Sequence, residues 1–457
     1  MRPNLLVVVL DCTRADHLSC YGYGRETSPF LDSLAGRGTR FANMVSSAPW
    51  TLPSHASLFT ATYSASHGAT DEHRYLSARF PTLAELLAAA GYETAAFCAN
   101  PWVSPETGFG RGFSHFFTNR PRHFAARPVV VARKAFDLLR GRRDSGSFRT
   151  NRAVARWLGH VDPARPFFAF VHYNETHLKF HPPAAFRRPF LEPSDSRSRI
   201  RGLNQDCNAF IAGEVEMTED DFRLLTALYD GELRFADSRL RELSAVLDEA
   251  GRLEDTVVVV TADHGENLGE HGLMSHKFCV YETLLRVPLI IAGPGVPAGK
   301  VSSELVQNID IAPTLAGMAG ASGGLSPFSK GLPLIEGGRL GSGHPYVFAE
   351  RYRPNLSAFK RRFPGFDATL VDVRKRSVSD GRSKLIWHSD SRHEYYDLVE
   401  DPAETENLYG ERPAGAGRLA QVLDQWLAEV HGDHEGEAQA DFDELARRQL
   451  QGLGYID

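Results

Sequence analysis

Residues 5–10 (LLVVVL) form an unbroken apolar run that stops at Asp11, and no other feature of the chain constrains its fold as strongly. A strand that is apolar on both faces must be covered on both, as in a parallel sheet between helical layers. A second run, 257–260 (VVVV), has the same character. Between the two, Thr218-x-x-Asp221 reads as a capping box. Phe222, Leu225, Tyr229, Leu233, Ala236, Leu240, Leu243 and Leu247 then recur every three or four residues until Gly251, which predicts a long amphipathic helix. Alternating strands and helices imply a doubly wound α/β fold with a mostly parallel central sheet flanked by helices. The pattern changes after about residue 340. Short β-like segments at 346–349, 368–373, 385–388 and 395–398 precede a helix at 414–430, so the expected division is an α/β domain over 1–340 and a smaller α+β subdomain over 341–457.

Composition narrows the function classes. With 42% hydrophobic and 24% charged residues the chain is neither disordered nor fibrous. A net charge of −6 supplies no basic field for a nucleic-acid backbone, so no nucleic-acid partner is expected. No apolar run approaches the roughly 18 residues that cross a bilayer, so no membrane span is expected. The run at 5–10 is also too short, and too poorly followed by small residues, for a signal peptide. Five scattered cysteines with no C-x-x-C spacing point to reduced thiols and a cytoplasmic address. The arginine-rich stretch 120–152 reads either as a basic rim near an anionic substrate or as a solvated helix face. Nothing in the sequence specifies an oligomeric state.

In open α/β sheets ligands bind beyond the carboxyl ends of the strands. Asp11 follows the first run directly, and Asp263 and His264 follow the second after two residues. Two carboxylates and an imidazole at one sheet edge suit Zn²⁺, Mn²⁺ or Fe²⁺, with Ca²⁺ less comfortable once nitrogen is a ligand. Acidic residues also end strands simply to solvate a loop. The segment 48–61 (APWTLPSHASLFTA) predicts a helix whose first turn holds Pro53, with Thr51 just ahead of its N-terminus. Free N–H groups there favour a tetrahedral oxyanion, so Thr51 suits a metal-activated nucleophile. The alternative is a plain cap, with Thr51 or Ser54 satisfying backbone donors.

Seven segments occur in an order that resembles the sulfatase family, a branch of the alkaline phosphatase superfamily. They are LDCTRADHLSCYGY, SPFLDSLAGRGTRF, TLPSHASLFTATYSASHGA, TADHGENLGEHG, SHKFCVYETLLRVPLII, NIDIAPTL and YYDLVEDPAETENL, spanning residues 5 to about 408. The resemblance implies a large α/β domain, a small C-terminal sheet domain and one divalent metal beside a covalent nucleophile. It places Asp11, Asp263 and His264 at metal-ligand positions and Thr51 at the nucleophile, where it also touches the metal. Lys277 falls at the lysine that contacts the substrate anion, and His177 at a histidine on the leaving-group side. His55 is expected to orient Thr51 or contact the anion. His276, His271 and His181 are further candidates, and Arg14, Asp16, Asp32, Asp310 and Asp397 are expected to be structural.

The sequence departs from the family pattern in ways that bear on chemistry. Sulfatases that oxidise a cysteine or serine to formylglycine carry it in a C/S-x-P-x-R motif, whereas here the position is Thr51 and the arginine is His55. Threonine carries a methyl on Cβ and cannot yield the aldehyde. A second carboxylate usual after the first metal ligand is Cys12, and the lysine usual after the G-Y-x-T segment is replaced by Asn100. The expected activity is therefore hydrolysis of a small anionic phosphorus ester, a phosphate monoester or diester or a phosphonate, through Thr51. Mn²⁺ or Zn²⁺ is favoured as the metal, with Ca²⁺ possible. The alternatives are sulfuric ester hydrolysis without formylglycine, phosphoryl transfer to an alcohol, or a non-catalytic binding protein of the same fold.

Overall fold

The computed structural model describes residues 2–119 and 145–430, with Glu444, Arg447 and Gln451 beyond them. Most of the arginine-rich stretch 120–152 lies outside the described residues. The principal elements, in chain order, are β1 (Asn4–Leu10), α1 (Pro29–Arg37), β2 (Thr39–Val45), α2 (Thr51–Thr60), β3 (Glu93–Cys98), β4 (His115–Thr118), α3 (Ser147–Leu158) and β5 (Phe167–Tyr173). They continue with α4 (Glu219–Glu249), β6 (Thr256–Thr261), β7 (Leu289–Ala292), β8 (Lys300–Gln307), α5 (Ile311–Met318), β9 (Val347–Arg351), β10 (Lys375–Ser379), β11 (Ser383–His388), β12 (Glu394–Asp397) and α6 (Pro413–Val430).

The central sheet has eight strands in the order β8-β2-β7-β6-β1-β5-β3-β4. Only β7 runs against its neighbours β2 and β6; every other pair is parallel. The apolar run that opens the chain lies near the centre, between β5 and β6, and is buried throughout. Its side chains alternate between two layers. Leu5, Val7 and Val9 pack with Leu52, Ala56 and Phe59 of α2 and Ile311 and Leu315 of α5, while Leu6, Val8 and Leu10 pack with Leu225, Leu233 and Leu240 of α4. That two-sided burial is why the run does not alternate polar and apolar residues.

The long helix α4 begins at the predicted capping box, where Thr218 accepts from the Asp221 N–H and the Asp221 side chain accepts from the Thr218 N–H. Its buried Asp237 accepts from the backbone N–H groups of Phe30 and Leu31 at 2.9 Å each, which satisfies the open N-terminus of α1 from another helix. Asp237→Ala is expected to lower stability by about 1–3 kcal/mol through those two orphaned donors, read as a lower denaturation midpoint. An unchanged midpoint would mean that water replaces the carboxylate.

The C-terminal segment forms a four-stranded antiparallel sheet, β9-β10-β11-β12. Phe348, Val378, Leu385 and Tyr395 face α6, where Phe348 stacks on Trp426 at 4.5 Å. Val347, Ala349, Ile386 and Tyr396 pack with Val45, Val280 and Leu285 from the earlier part of the chain. One expectation fails here. Residues 368–373 make no strand: the Asp367 carboxylate caps the Thr369 N–H at 3.1 Å and holds Ala368–Leu370 in a 3₁₀ turn, so the strand starts at Lys375. A local side-chain cap outcompetes the ladder there. Among the described residues no helix is long and apolar enough to cross a membrane.

Candidate active site

Because β1 and β6 are parallel neighbours, with Val9 opposite Thr261, the residues that follow them emerge together. Asp11, Asp263 and His264 are all buried, and one ligand atom of each lies within 4.8 Å of the others. His264 Nε2 is 3.7 Å from Asp11 Oδ1 and 3.4 Å from Asp263 Oδ2. The His264 Nδ1–H donates to the Gly265 carbonyl at 2.9 Å, which turns the Nε2 lone pair toward the carboxylates. Glycine is required next in the chain, since a Cβ on Gly265 would stand 2.1 Å from the Thr283 carbonyl oxygen.

Cys12 takes up a left-handed conformation, φ 56°, which is uncommon outside glycine and typical of functional turns. In that turn its N–H reaches Asp263 Oδ1 at 3.3 Å, and its thiol donates to Asp11 Oδ1 at 3.1 Å. Burial and the neighbouring Asp263 push Asp11 up to about 6, and burial pushes Asp263 up to about 7. Two carboxyl groups that resist ionisation side by side are poised to lose their protons to a cation. Asp263 Oδ2 is buried with no hydrogen-bond partner, an unmet acceptor that a divalent metal would satisfy. The donor set of two carboxylates and one imidazole therefore fits such an ion.

Thr51 is the first residue of α2, and Trp50 occupies the N-cap with no side-chain bond. The structure thus moves Thr51 one position inward from its expected place and gives neither it nor Ser54 the role of cap. Its hydroxyl lies 3.4 Å from His264 Nε2 and 3.5 Å from Asn100 Nδ2. Ser46 and Ser54 both donate to the Asp263 carbonyl, at 2.5 and 2.7 Å, and Asn308 donates to the Ser54 carbonyl and hydroxyl at 3.0 Å each. These bonds tie α2 to the end of β6 and fix Thr51 against the metal-capable cluster. His55 holds Thr51 through the main chain, its Nδ1–H donating to the Thr51 carbonyl at 2.8 Å, while its ring meets Phe170 edge-on at 5.8 Å. Burial drives the imidazole down to about 3, so it stays neutral.

The remaining candidates separate. His177 donates from Nδ1 to the Leu178 carbonyl at 2.6 Å and lies 5.0 Å, ring to ring, from His276. Burial holds His177 below the usual imidazole range, with Asp11 pulling the other way. His276 joins the cluster, its Nδ1 3.5 Å from Cys12 Sγ and 3.2 Å from Glu266 Oε1. Lys277 follows it and donates to Asn208 at 2.9 Å. His271 stacks on Tyr281 at 3.8 Å, and His181 is exposed, so neither belongs to the cluster. Arg14 bridges Asp16, the Glu266 carbonyl and Glu270; Asp32 accepts from Ser19 and Ser28; Asp310 accepts from the Gln307 and Leu332 N–H groups; and Asp397 pairs with Arg412. All of these hold turns and helix ends in place.

Three further residues enter the site. Asn100, which stands out in the sequence only as a missing lysine, donates to Asp11 Oδ2 at 2.9 Å as well as approaching Thr51. Glu266 is fully buried beneath His276. His172 sits inside β5 with Nε2 3.4 Å from Asp11 Oδ2. Its signal was a lone imidazole in an otherwise apolar run, FFAFVHY. A cavity of about 970 Å³ lies at the opposite end of the sheet beside Asn4, Arg165 and Arg252, away from all of these groups.

Comparison with known proteins identifies the family. The sulfatase family model matches residues 3–321. The choline-sulfatase of Rhizobium meliloti is 26% identical over 91% of this chain and 83% of its own length. A multifunctional alkaline phosphatase superfamily protein of Trinickia caryophylli is 27% identical over 93% of this chain and 95% of its own. The crystal structure of the phosphonate monoester hydrolase of Agrobacterium radiobacter superimposes with a TM-score of 0.74 at 25% identity, covering 94% of this chain and 96% of that one.

Proposed function

The chain belongs to the sulfatase family of hydrolases, and from that premise we propose that it cleaves a phosphorus ester, a phosphate monoester or diester or a phosphonate, with Thr51 as the nucleophile. The observation that carries this reading is the placement of a hydroxyl that cannot become formylglycine, Thr51 Oγ1, at a helix N-terminus 3.4 Å from His264 Nε2. The likeness to a phosphonate monoester hydrolase supports the choice of phosphorus.

Asp11, Asp263 and His264 hold a divalent metal, Mn²⁺ or Zn²⁺ in preference to Ca²⁺, which when bound acidifies the Thr51 hydroxyl and polarises a non-bridging oxygen of the substrate. Thr51 Oγ1 bonds to phosphorus as the bond to the leaving oxygen breaks. Lys277 and the first N–H groups of α2 stabilise charge on the equatorial oxygens. The proton that Thr51 releases passes to solvent, and His177, on the leaving-group side, takes a proton from solvent and delivers it to the departing alkoxide. Water then attacks phosphorus and regenerates Thr51. His55 positions the nucleophile by gripping its carbonyl. In this reading residues 1–340 carry the chemistry, and residues 341–457 form a subdomain that supplies one wall of the substrate pocket.

A second reading, sulfate ester cleavage by the same Thr51 without formylglycine, is favoured by the likeness to a choline-sulfatase. The two are separated with protein reloaded in turn with Mn²⁺, Zn²⁺ and Ca²⁺ and given matched aryl phosphate monoester, diester, phosphonate and sulfate. Phosphorus esters are expected to turn over at least about tenfold faster than sulfate, with Mn²⁺ or Zn²⁺ best. A sulfate preference would overturn the proposal in favour of the second reading.

A further inference from the structure

Beside the cluster a small pocket is lined by Trp50, Trp102, Arg74, Arg351, Lys277 and Phe278. It reaches the cluster through His276, and it shares Lys277 with the proposed anion site. Trp50 and Trp102 meet edge to face at 5.7 Å, and Phe278 meets Phe359 the same way at 6.0 Å. The walls are therefore flat and apolar. Its enclosed volume of about 90 Å³ suits a planar ring, and the pocket opens to solvent beyond it.

Charge in the pocket is lopsided. Three cationic side chains face one carboxylate, Asp71. Arg351, at the end of β9, pairs through Nη1 with Asp71 and donates to the Tyr352 carbonyl at 2.9 Å. Its Nε is buried without a hydrogen-bond partner, and the residue as a whole is only 5% exposed. Arg74 donates to the Asp71 carbonyl at 3.3 Å and lies 5.4 Å from the Trp102 ring centre. Asp71 answers one of the three cations and leaves the Arg351 Nε without an acceptor, so the charge left over in the pocket favours an anion.

We propose that this pocket binds the leaving alcohol of the substrate and selects a planar ring that carries a second negative charge, held by Arg351 and Arg74 while the ring lies against Trp50 and Trp102. The inference rests on the reading of Thr51 as an ester-cleaving nucleophile. It assigns to the C-terminal sheet, through Arg351, a direct part in substrate choice. A cationic alcohol is correspondingly disfavoured.

The test uses the metal-loaded full chain and two aryl phosphate esters that differ only in a remote arm, one ending in –CH₂CO₂⁻ and the other in –CH₂CONH₂. The methylene spacer keeps the two leaving groups similar in acidity. The anionic ester is expected to have a kcat/KM about tenfold higher, carried mainly by KM. Arg351→Met should collapse that ratio toward one, Arg74→Gln should reduce it, and Arg351→Lys should retain part of it. Because the ratio is internal to each preparation, a variant that folds poorly still reports. A ratio near one in the unmodified chain, or one that Arg351→Met leaves intact, would overturn the proposal. Should neither ester be hydrolysed, the Thr51 reading fails and the pocket is read alone by calorimetry with the two free phenols. Binding of the carboxylate phenol that Arg351→Met abolishes supports the pocket, and equal binding of both phenols refutes it.

Discussion

Thr51→Ala is expected to lower kcat by about 1,000-fold or more on whichever phosphorus ester the chain hydrolyses best, since removing a nucleophile deletes the covalent route entirely. Thr51→Ser should keep a substantial part of the rate, because it preserves the hydroxyl 3.4 Å from His264 and loses only a methyl. The pair separates nucleophile from scaffold: Ser54 and Asn308 anchor α2 in both variants, so both should fold. Quenched single-turnover samples of the unmodified chain should carry a phosphoryl group on Thr51, located by mass spectrometry. Alanine at this position with unchanged turnover would remove Thr51 from the chemistry and leave a direct attack by water.

The sheet was legible because burial on both faces writes itself into sequence as uninterrupted apolar runs. Residues 5–10 and 257–260 announced the strands and, by where they stop, the metal-capable edge. The long helix was equally plain, since its capping box and its apolar repeat agree with each other. Contacts that depend on two distant segments were not legible. Asn100 looked like a lost cation, and only the parallel pairing that carries β3 past β5 to the site shows that it donates to Asp11. His172 carries no spacing signal at all, being one residue in an apolar strand. The subdomain went partly astray for the opposite reason. Residues 368–373 have strand-like side chains, but one local bond from Asp367 decides their conformation. Arg351 was invisible as a pocket residue, because its strand belongs to a different sheet from every other candidate.

The second large effect concerns metal and pH together. In the metal-free protein burial raises the Asp11 and Asp263 carboxyl groups from 3.8 to about 6 and about 7. The folded state therefore keeps protons that the unfolded chain gives up between about pH 4 and 7. With more protons bound to the native state, stability falls as pH rises through that window. For Asp263 alone the loss is on the order of 4 kcal/mol, at about 1.4 kcal/mol for each pH unit. A divalent ion reverses the sign, because it binds the ionised carboxylates and competes with their protons. At about 1,000 times its dissociation constant it returns roughly 4 kcal/mol. Buried His55 and His177, held below the usual imidazole range, gain stability over the same window and oppose the loss from the carboxyl groups. The share of Asp263 is therefore read against Asp263→Asn: in thermal melts with EDTA the midpoint of the unmodified chain should fall relative to that of the variant from pH 4 to 7.5, and Mn²⁺ or Zn²⁺ should raise it far more at pH 7 than at pH 4. Asp237, also pushed up to about 6 by burial, titrates in the same window, which is why the comparison with Asp263→Asn is needed: the variant should lose only the pH-dependent destabilisation that Asp263 contributes, and the metal response with it. Metal removal at pH 7 should also cost about 1,000-fold or more in hydrolysis. A metal-free midpoint difference from Asp263→Asn that does not change with pH, or a metal response that survives Asp263→Asn, would place the ion elsewhere.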